Sequence, residues 1–157
     1  MSLTISKDYL AIAEKYERDV LKGKILACKW VKLACQRQRD DLKKYEKKGL
    51  YEWNAAEACR ICRFIELLTH TKGELAGQKV VLEPWQVFIL TTVFGWRRRA
   101  DGGRRFRRVY IEVPRGSGKS TLSSGVALYC LLADREPGAE VYSFATTRDQ
   151  AKIVFGD

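Results

Sequence analysis

The stretch Arg107–Thr121, RRVYIEVPRGSGKST, constrains most strongly what this chain can fold into. An apolar, largely β-branched run from Val109 to Val113 stops at Pro114, which indicates a strand that ends there. A glycine-bearing turn follows, and an amphipathic stretch then begins at Lys119. Strand, glycine turn and helix in this order are typical of a loop that holds a phosphate group.

Each residue type in this loop suits that chemistry. Gly116 and Gly118 allow several backbone N–H groups to turn inward, and they carry no side chain that would block a phosphate. The predicted helix points its N-terminal donors at the same anion, Lys119 can reach the outer phosphates, and Ser120 can ligate magnesium. Val113 stands where the strict motif has a glycine, so the alternative is an ordinary glycine turn before a helix. The flanking strand and helix favour nucleotide binding.

Charge and cysteine content give weaker indications. The net charge of +10 favours an anionic partner, with nucleic acid first and an acidic membrane surface second, although a merely basic surface is the alternative. Five cysteines, an odd number, indicate reduced thiols in a cytosolic protein more than a disulfide framework. Cys59 and Cys62 have the spacing of half a zinc site, but no second pair follows. Two cysteines on one helix face are the better interpretation. The sequence shows no signal peptide and no stretch that could span a bilayer.

Helical periodicity dominates the first part of the chain. It predicts helices over residues 6–21, 24–44 and 55–68, the first with Ser6 as its N-cap. A further helix is predicted from Pro84, with Gln86 in its first turn. The Gln86 amide could read the adenine edge, since it offers one donor and one acceptor. From the residues alone, a polar first-turn residue on a core helix is the favoured alternative.

The segment Arg97–Arg108, RRRADGGRRFRR, contains seven arginines around a predicted turn. Contact with a phosphate backbone, contact with an acidic subunit and a merely solvated hairpin are all compatible with this pattern.

The residues after the loop predict a helix along Leu122–Ala133, a second strand at Val141–Ala145 and another helix capped by Thr147. Alternating strands and helices predict a right-handed crossover and a parallel sheet. Nucleotide hydrolysis also needs an acid at the end of a further strand. Leu128–Asp134, LYCLLAD, resembles such a strand, but its residues share the periodicity of the helix that begins at the loop.

This helix carries Asp134 and Glu136 roughly 20 Å from Ser120, outside coordination range. The sequence therefore predicts that the chain alone binds nucleotide but hydrolyses it negligibly.

Several stretches together resemble the start of the ATPase domain of large terminase subunits, the DNA-packaging motors of tailed double-stranded DNA phages and prophages. They are LEPWQVFILTTVFGW, the arginine turn, RRFRRVYIEVPRGSGKST and VYSFATTRDQAKIVF. The N-terminal YERDVLKGKILACKWVKLACQRQRDDL is also similar to the helical lead-in of that family. Pro-Arg before the glycine, with no leading glycine, is the family's own variant of the loop.

The resemblance implies an α/β fold of two parts. An N-terminal helical segment, 1–73, precedes the N-terminal part of a P-loop ATPase domain of the ASCE or RecA-like type with a parallel sheet, 74–157. The family's coupling motif, magnesium-aligning acids and nuclease domain are not found in the sequence, so the chain reads as the N-terminal piece of such a subunit.

The resemblance also implies roles for individual residues. Lys119, Ser120 and Thr121 correspond to the phosphate and magnesium residues, and Arg115 to an arginine that senses the outermost phosphate, so Arg115 and Lys119 are the catalytic candidates. Trp85 and Gln86 match the adenine-side motif, which reverses the preference stated above. The implied nucleotide-binding set is Trp85, Gln86, Pro114, Arg115, Gly116, Ser117, Gly118, Lys119, Ser120 and Thr121.

ATP and Mg²⁺ are the implied cofactors. The implied partners are double-stranded DNA, the small terminase subunit, the portal protein and other copies of the chain in a ring, without a membrane, in the bacterial host cytoplasm. Two other functions are compatible with the residues. One is a non-hydrolysing nucleotide- or DNA-binding module, such as a prophage remnant, and the other is a helicase-like P-loop ATPase.

Overall fold

A computed structural model describes residues 7–71, 73–135 and 138–145. Over these ranges the chain forms five α-helices and two short β-strands. The helices are α1 (Tyr9–Leu21), α2 (Lys29–Lys44), α3 (Ala55–Leu67), α4 (Pro84–Gly95) and α5 (Lys119–Leu132), and the strands are β1 (Tyr51–Trp53) and β2 (Trp96–Arg98). The chain divides into two compact units. The first is formed by residues up to 62 together with 83–109, and the second by 63–82 together with the residues from 110 onward.

The predicted helices of the N-terminal part are confirmed, with changes at their ends. The Asp8 side chain caps α1 by accepting a hydrogen bond of 3.0 Å from a backbone N–H in the first turn, while the predicted cap Ser6 lies outside the described residues. Helix α2 begins five residues later than predicted. The backbone N–H groups of Lys24 and Ile25 both donate to the Asp19 carbonyl, at 2.8 and 3.2 Å, and this turn separates α1 from α2.

Helices α1, α2 and α4 surround the core of the first unit. Helix α4 is apolar on nearly every side, as expected for a helix buried all round. Each large apolar side chain that it buries contributes about 1.5–3 kcal/mol relative to exposure. The Tyr16 and Phe88 rings pack with centroids 5.5 Å apart, joining α1 to α4. The apolar side chains buried on these three helices are Tyr9, Ala13, Val20, Cys35, Val87, Phe88, Leu90 and Phe94.

Strands β1 and β2 form a two-stranded antiparallel sheet in the same unit, with Trp53 opposite Trp96. The two indole rings lie 5.4 Å apart between centroids. A Cβ atom at Gly95 would lie 2.7 Å from the Trp53 ring, so only glycine allows α4 to end this close to β1. The sequence analysis did not predict β1.

The second unit pairs the C-terminal part of α3 with α5. The Phe64 and Tyr129 rings pack edge to face with centroids 5.5 Å apart, and Gly125 lets α5 approach Ile65 closely, since an added Cβ would lie 3.0 Å from that side chain. The loop after α3 folds back through an isolated antiparallel bridge between Thr69 and Lys79. Helix α5 confirms the helix predicted after the glycine turn.

The two predicted strands of a parallel sheet are not confirmed. No strand is assigned at 109–113 or at 141–145, and the only sheet within the described ranges is the antiparallel β1–β2 pair. A strand requires a hydrogen-bonded neighbour, and here the side chains of these segments face solvent, with Tyr110 86 % and Phe144 89 % exposed. The helix predicted from Thr147 lies outside the described residues. The described part is therefore a mixed helical and β structure, consistent with an incomplete α/β domain.

No helix among the described residues combines the length and the apolar character that crossing a bilayer requires.

Candidate phosphate-binding site

The glycine turn before α5 has the backbone geometry of an anion cradle. Gly116 and Gly118 have φ angles of 84° and 71°, in the left-handed region that favours glycine. Gly118 is also the N-cap of α5, and no side chain caps this helix end. The first-turn N–H groups of α5 have no intrahelical acceptors and point toward the turn. A Cβ placed on Gly116 would meet no atom within 4 Å, so the space beside this residue is open. These residues fit a phosphate group.

The Lys119 ammonium folds back over this turn. Its Nζ donates hydrogen bonds to the carbonyl oxygens of Val113 and Pro114, at 2.5 and 3.0 Å. Lys119 is exposed, so the side chain can exchange these carbonyls for phosphate oxygens without disturbing a core. The same carbonyls keep the positive charge beside the cradle, where it can act on an anion as a point charge.

The other predicted loop residues lie in the same turn or at the start of α5. Pro114, Arg115 and Ser120 are exposed, Ser117 is half-buried, and all are accessible to a ligand approaching the turn. Thr121 is half-buried and lines a cleft of about 510 Å³ between α5 and the loop that follows α3. The sequence analysis missed this cleft, because its other wall comes from residues about fifty positions earlier. His70 and Lys79 lie on that wall.

Trp85 and Gln86 belong to the first unit, whereas the glycine turn belongs to the second. Gln86 is 7 % exposed and forms a capping box at the start of α4. Its Oε1 accepts a 2.9 Å hydrogen bond from the backbone N–H of Glu83. This is the structural role that the residues alone favoured, and it leaves the amide nitrogen available as a donor. Trp85 is half-buried next to it.

Comparison with known families gives a match for the C-terminal part of the chain. Residues 84–157 match the family described as terminase large subunit, ATPase domain. This segment is similar to that family, the ATPase domain of terminase large subunits. The matched segment includes Trp85, Gln86 and the whole glycine turn, and it confirms the resemblance inferred from the sequence. No curated protein and no solved structure matches the chain.

The stretch Leu128–Asp134 lies at the end of α5. Its first five residues continue α5, which ends at Leu132, and Asp134 follows the helix end. The prediction that this stretch is helical and does not form the acid-bearing strand of an ATPase is confirmed. At ~1.5 Å per residue, a helix of this length places Asp134 roughly 20 Å from Ser120. Glu136 lies outside the described residues.

Potential metal ligands do not converge elsewhere in the described ranges, where no group of three His, Cys, Asp or Glu side chains could hold a metal ion. Cys59 and Cys62 are both buried on α3 and form no disulfide. Magnesium at Ser120, carried by a nucleotide, stays a prediction.

The arginine segment Arg97–Arg108 folds as the predicted turn, with a bridge between Arg97 and Arg104. Arg105 is largely enclosed, with its side chain 15 % exposed, and its Nη1 lies 2.9 Å from Oδ2 of Asp41 on α2. Four aromatic rings surround its guanidinium carbon, with centroids at 4.5 to 5.4 Å: Tyr51, Phe106, Trp96 and Tyr45. We call this arrangement the Arg105 cage. It combines cation–π contacts with a partly buried ion pair.

The neighbouring arginines are also engaged within the first unit. Arg97, Arg98 and Arg99 form ion pairs of 3.2, 2.7 and 2.9 Å with carboxylates, and Arg104 stacks 5.3 Å from the Phe94 ring centroid. Arg107 and Arg108 are exposed. Most of the arginines that could have served an external partner therefore hold the hairpin in place.

Proposed function

We propose that the chain is the ATP-binding part of a terminase large subunit, the motor that moves double-stranded DNA into procapsids and cuts concatemers. The observation that supports this proposal most directly is the open glycine cradle at the N-terminus of α5, within a segment of the terminase ATPase family. ATP would supply the phosphates, and Mg²⁺ would accompany them.

The loop residues take separate roles in this proposal. Gly116, Ser117 and Gly118 offer backbone donors, and Lys119 exchanges the carbonyls of its own loop for the outer phosphates. Ser120 would hold magnesium, and Thr121, the next residue, would contact the phosphates. Arg115 would neutralise charge on the outermost phosphate. An arginine cannot orient the attacking water, because it has no acceptor. With Asp134 at the far end of α5, we propose that this chain alone binds nucleotide with negligible turnover.

The partners belong to the same proposal. Double-stranded DNA, the small terminase subunit, the portal protein and further copies of the chain in a ring are the assemblies in which such a part would work, in the cytoplasm of a bacterial host. A non-hydrolysing nucleotide-binding module is the second candidate, favoured by the position of Asp134 after α5.

The substitution Lys119→Ala tests the proposed site. We expect it to lower the affinity for Mg-ATP at least about tenfold, because a charged hydrogen bond to phosphate contributes roughly 1.5–3 kcal/mol. Titration calorimetry measures the effect. Lys32→Ala, which removes an exposed lysine of α2, is the matched control and should bind as the unchanged chain does. Equal affinity in Lys119→Ala and the control would reject the phosphate-binding assignment.

A further inference from the structure

A cavity of about 200 Å³ lies in the first unit, among α1, α2, α4 and β1. Trp53 and Phe88 supply aromatic wall, and Glu14, Glu17 and Gln38 supply polar groups. The cavity is distinct from the proposed nucleotide site, since every residue that lines it belongs to the first unit. Its volume is about seven times the ~30 Å³ share of one water molecule in the liquid.

Two side chains in this cavity are more than nine-tenths buried and have unused hydrogen-bonding capacity. Glu17 is 7 % exposed, and its Oε1 accepts a 2.8 Å hydrogen bond from Nε of Arg39. No described group pairs with its second oxygen. Gln38 is 6 % exposed, and its Oε1 accepts a 2.7 Å hydrogen bond from Nε1 of Trp96. The Gln38 amide nitrogen therefore has two N–H groups left to donate.

The neighbouring hydroxyl does not need a ligand. Thr91 donates within α4 to the carbonyl oxygens of Val87 and Phe88, at 2.8 and 3.2 Å. The Thr92 hydroxyl, in the same wall, is buried without a hydrogen-bond partner and can serve as donor or acceptor. The further unused capacity in the cavity wall is an acceptor on Glu17 and a donor on Gln38. A bound molecule that satisfies both must carry a donor and an acceptor a few ångströms apart.

Electrostatics decide which donor fits. Glu14 is exposed at the rim of the cavity, so two carboxylates face it in a chain whose net charge is +10. Arg39 neutralises only one of them. Aromatic rings attract a cation as well, and Trp53 and Phe88 both line the cavity. A cationic donor is therefore favoured over a neutral one.

We propose that this cavity binds a small organic cation, an ammonium group with a hydrogen-bond acceptor on the adjacent carbon. The ammonium lies between Glu14 and Glu17, and the acceptor receives an N–H from Gln38. Ethanolamine is a suitable probe, because it carries both groups on two carbons. Ethylene glycol has the same size and no charge, and propylamine has the charge without the acceptor.

The test is titration of the ¹⁵N-labelled chain with each probe, followed by NMR at the Gln38 side-chain amide. We expect ethanolamine to bind with a dissociation constant in the millimolar range, because a ligand with so few non-hydrogen atoms can gain only a small binding free energy. Propylamine should bind several-fold more weakly, and ethylene glycol at least about tenfold more weakly. Equal shifts with ethanolamine and ethylene glycol, or no saturable shift with ethanolamine, would show that the cavity holds water only and would overturn the proposal.

Variants locate the binding in the cavity. Glu17→Gln should weaken ethanolamine about tenfold or more. Glu14→Gln changes only an exposed rim residue, so it keeps the proposal testable if the buried substitution perturbs folding, and we expect a loss of roughly threefold from it. Glu46→Gln, an exposed acid that does not line the cavity, is the matched control. If Glu14→Gln and Glu46→Gln bind ethanolamine equally, the proposed ammonium position is wrong.

Discussion

At the scale of single residues, Cys35 and Cys28 show how position alone sets thiol chemistry. Cys35 is fully buried on α2, and burial raises the pKa of its thiol to about 12. Cys28 is the exposed N-cap of the same helix. The reactive species is the thiolate, so at pH 8 Cys35 would be ionised in only about one molecule in ten thousand.

We therefore expect iodoacetamide at pH 8 to alkylate Cys28 in the folded chain and to leave Cys35 unmodified. Peptide mass spectrometry after timed quenching measures both positions in one sample. Labelling in concentrated urea is the control and should modify both thiols. Comparable rates at the two cysteines without urea would mean that α2 does not pack as described.

Gln86 presents a choice between two roles that one substitution can separate. Its Oε1 holds the capping box of α4, while its amide nitrogen could read an adenine edge. Gln86→Glu keeps the acceptor needed by the cap and removes the donor, whereas Gln86→Ala removes both.

If Gln86 reads adenine, Gln86→Glu should lose the preference for ATP over GTP while its urea unfolding midpoint stays close to the original. Gln86→Ala should lose that preference and also about 1 kcal/mol of stability, the usual effect of losing a cap. Competition binding and urea unfolding give the two measurements. Preserved ATP preference in Gln86→Glu would leave Gln86 with the capping role alone.

Arg105 is the residue whose loss should destabilise the first unit most clearly. Its side chain is 15 % exposed and that of its partner Asp41 is 11 % exposed, so removing one leaves the other charge largely buried. Arg105→Leu should lower the free energy of unfolding by about 3 kcal/mol. Urea unfolding followed by tryptophan fluorescence measures it, since Trp96 lies in the Arg105 cage.

A double-mutant cycle with Asp41→Asn separates the ion pair from the aromatic contacts. We expect the double variant to be more stable than the sum of the two single losses predicts, because it leaves no unpaired charge. Strict additivity would assign the whole effect of Arg105→Leu to its cation–π contacts. Arg108→Leu is the matched control, since Arg108 is exposed in the same segment, and it should change stability little.

At the scale of elements, the helices were predictable from the sequence because their apolar residues recur at helical spacing. The late start of α2 was not, because the turn before it is made by backbone hydrogen bonds to Asp19 that no residue pattern signals. Strand β1 was missed for a related reason. It has three residues, and it exists through pairing with β2, which the sequence placed in the arm of a turn.

The opposite case is the pair of strands predicted at 109–113 and 141–145, where the structure assigns no strand. Their composition suits a strand, but composition supplies no hydrogen-bonding neighbour, and none is present in the described ranges.

In the candidate site, the glycine turn and Lys119 were predictable because each residue type has a local function there. The cleft beside Thr121 was not, since Lys79 reaches it through the fold of a distant loop.

At the scale of the whole molecule, the 29 lysines and arginines are not equally available to an anionic partner such as DNA, because several of them form ion pairs with carboxylates. Within the arginine segment, Arg107 and Arg108 are exposed while Arg98 and Arg99 already contact carboxylates. A contact with a DNA phosphate releases about one counterion, which makes affinity depend on salt.

We expect the double substitution Arg107→Gln, Arg108→Gln to weaken binding of duplex DNA. Log affinity falls as log salt rises, and the magnitude of this negative slope should decrease by up to about 2. Fluorescence anisotropy over a series of salt concentrations measures the slope. The double substitution Arg98→Gln, Arg99→Gln is the control of equal charge and should change the slope less. An equal change in both variants would show that charge alone, and not exposure, governs binding.

The stretches that form the two units alternate along the chain, and this order affects what truncation experiments can show. Each unit is built from two separate stretches, so the chain passes from one unit to the other near residues 62, 82 and 109. A single stop codon or a single protease cut cannot release either unit free of residues from the other. A chain ending at residue 73 would keep α1 and α2 but lack α4, which covers their core, and a chain starting at 74 would lack the part of α3 on which α5 packs. In a series of terminal deletions, loss of folding would therefore be mistaken for loss of function. An internal replacement of residues 63–82 by a short linker avoids this for the first unit, because both of its stretches stay in the chain.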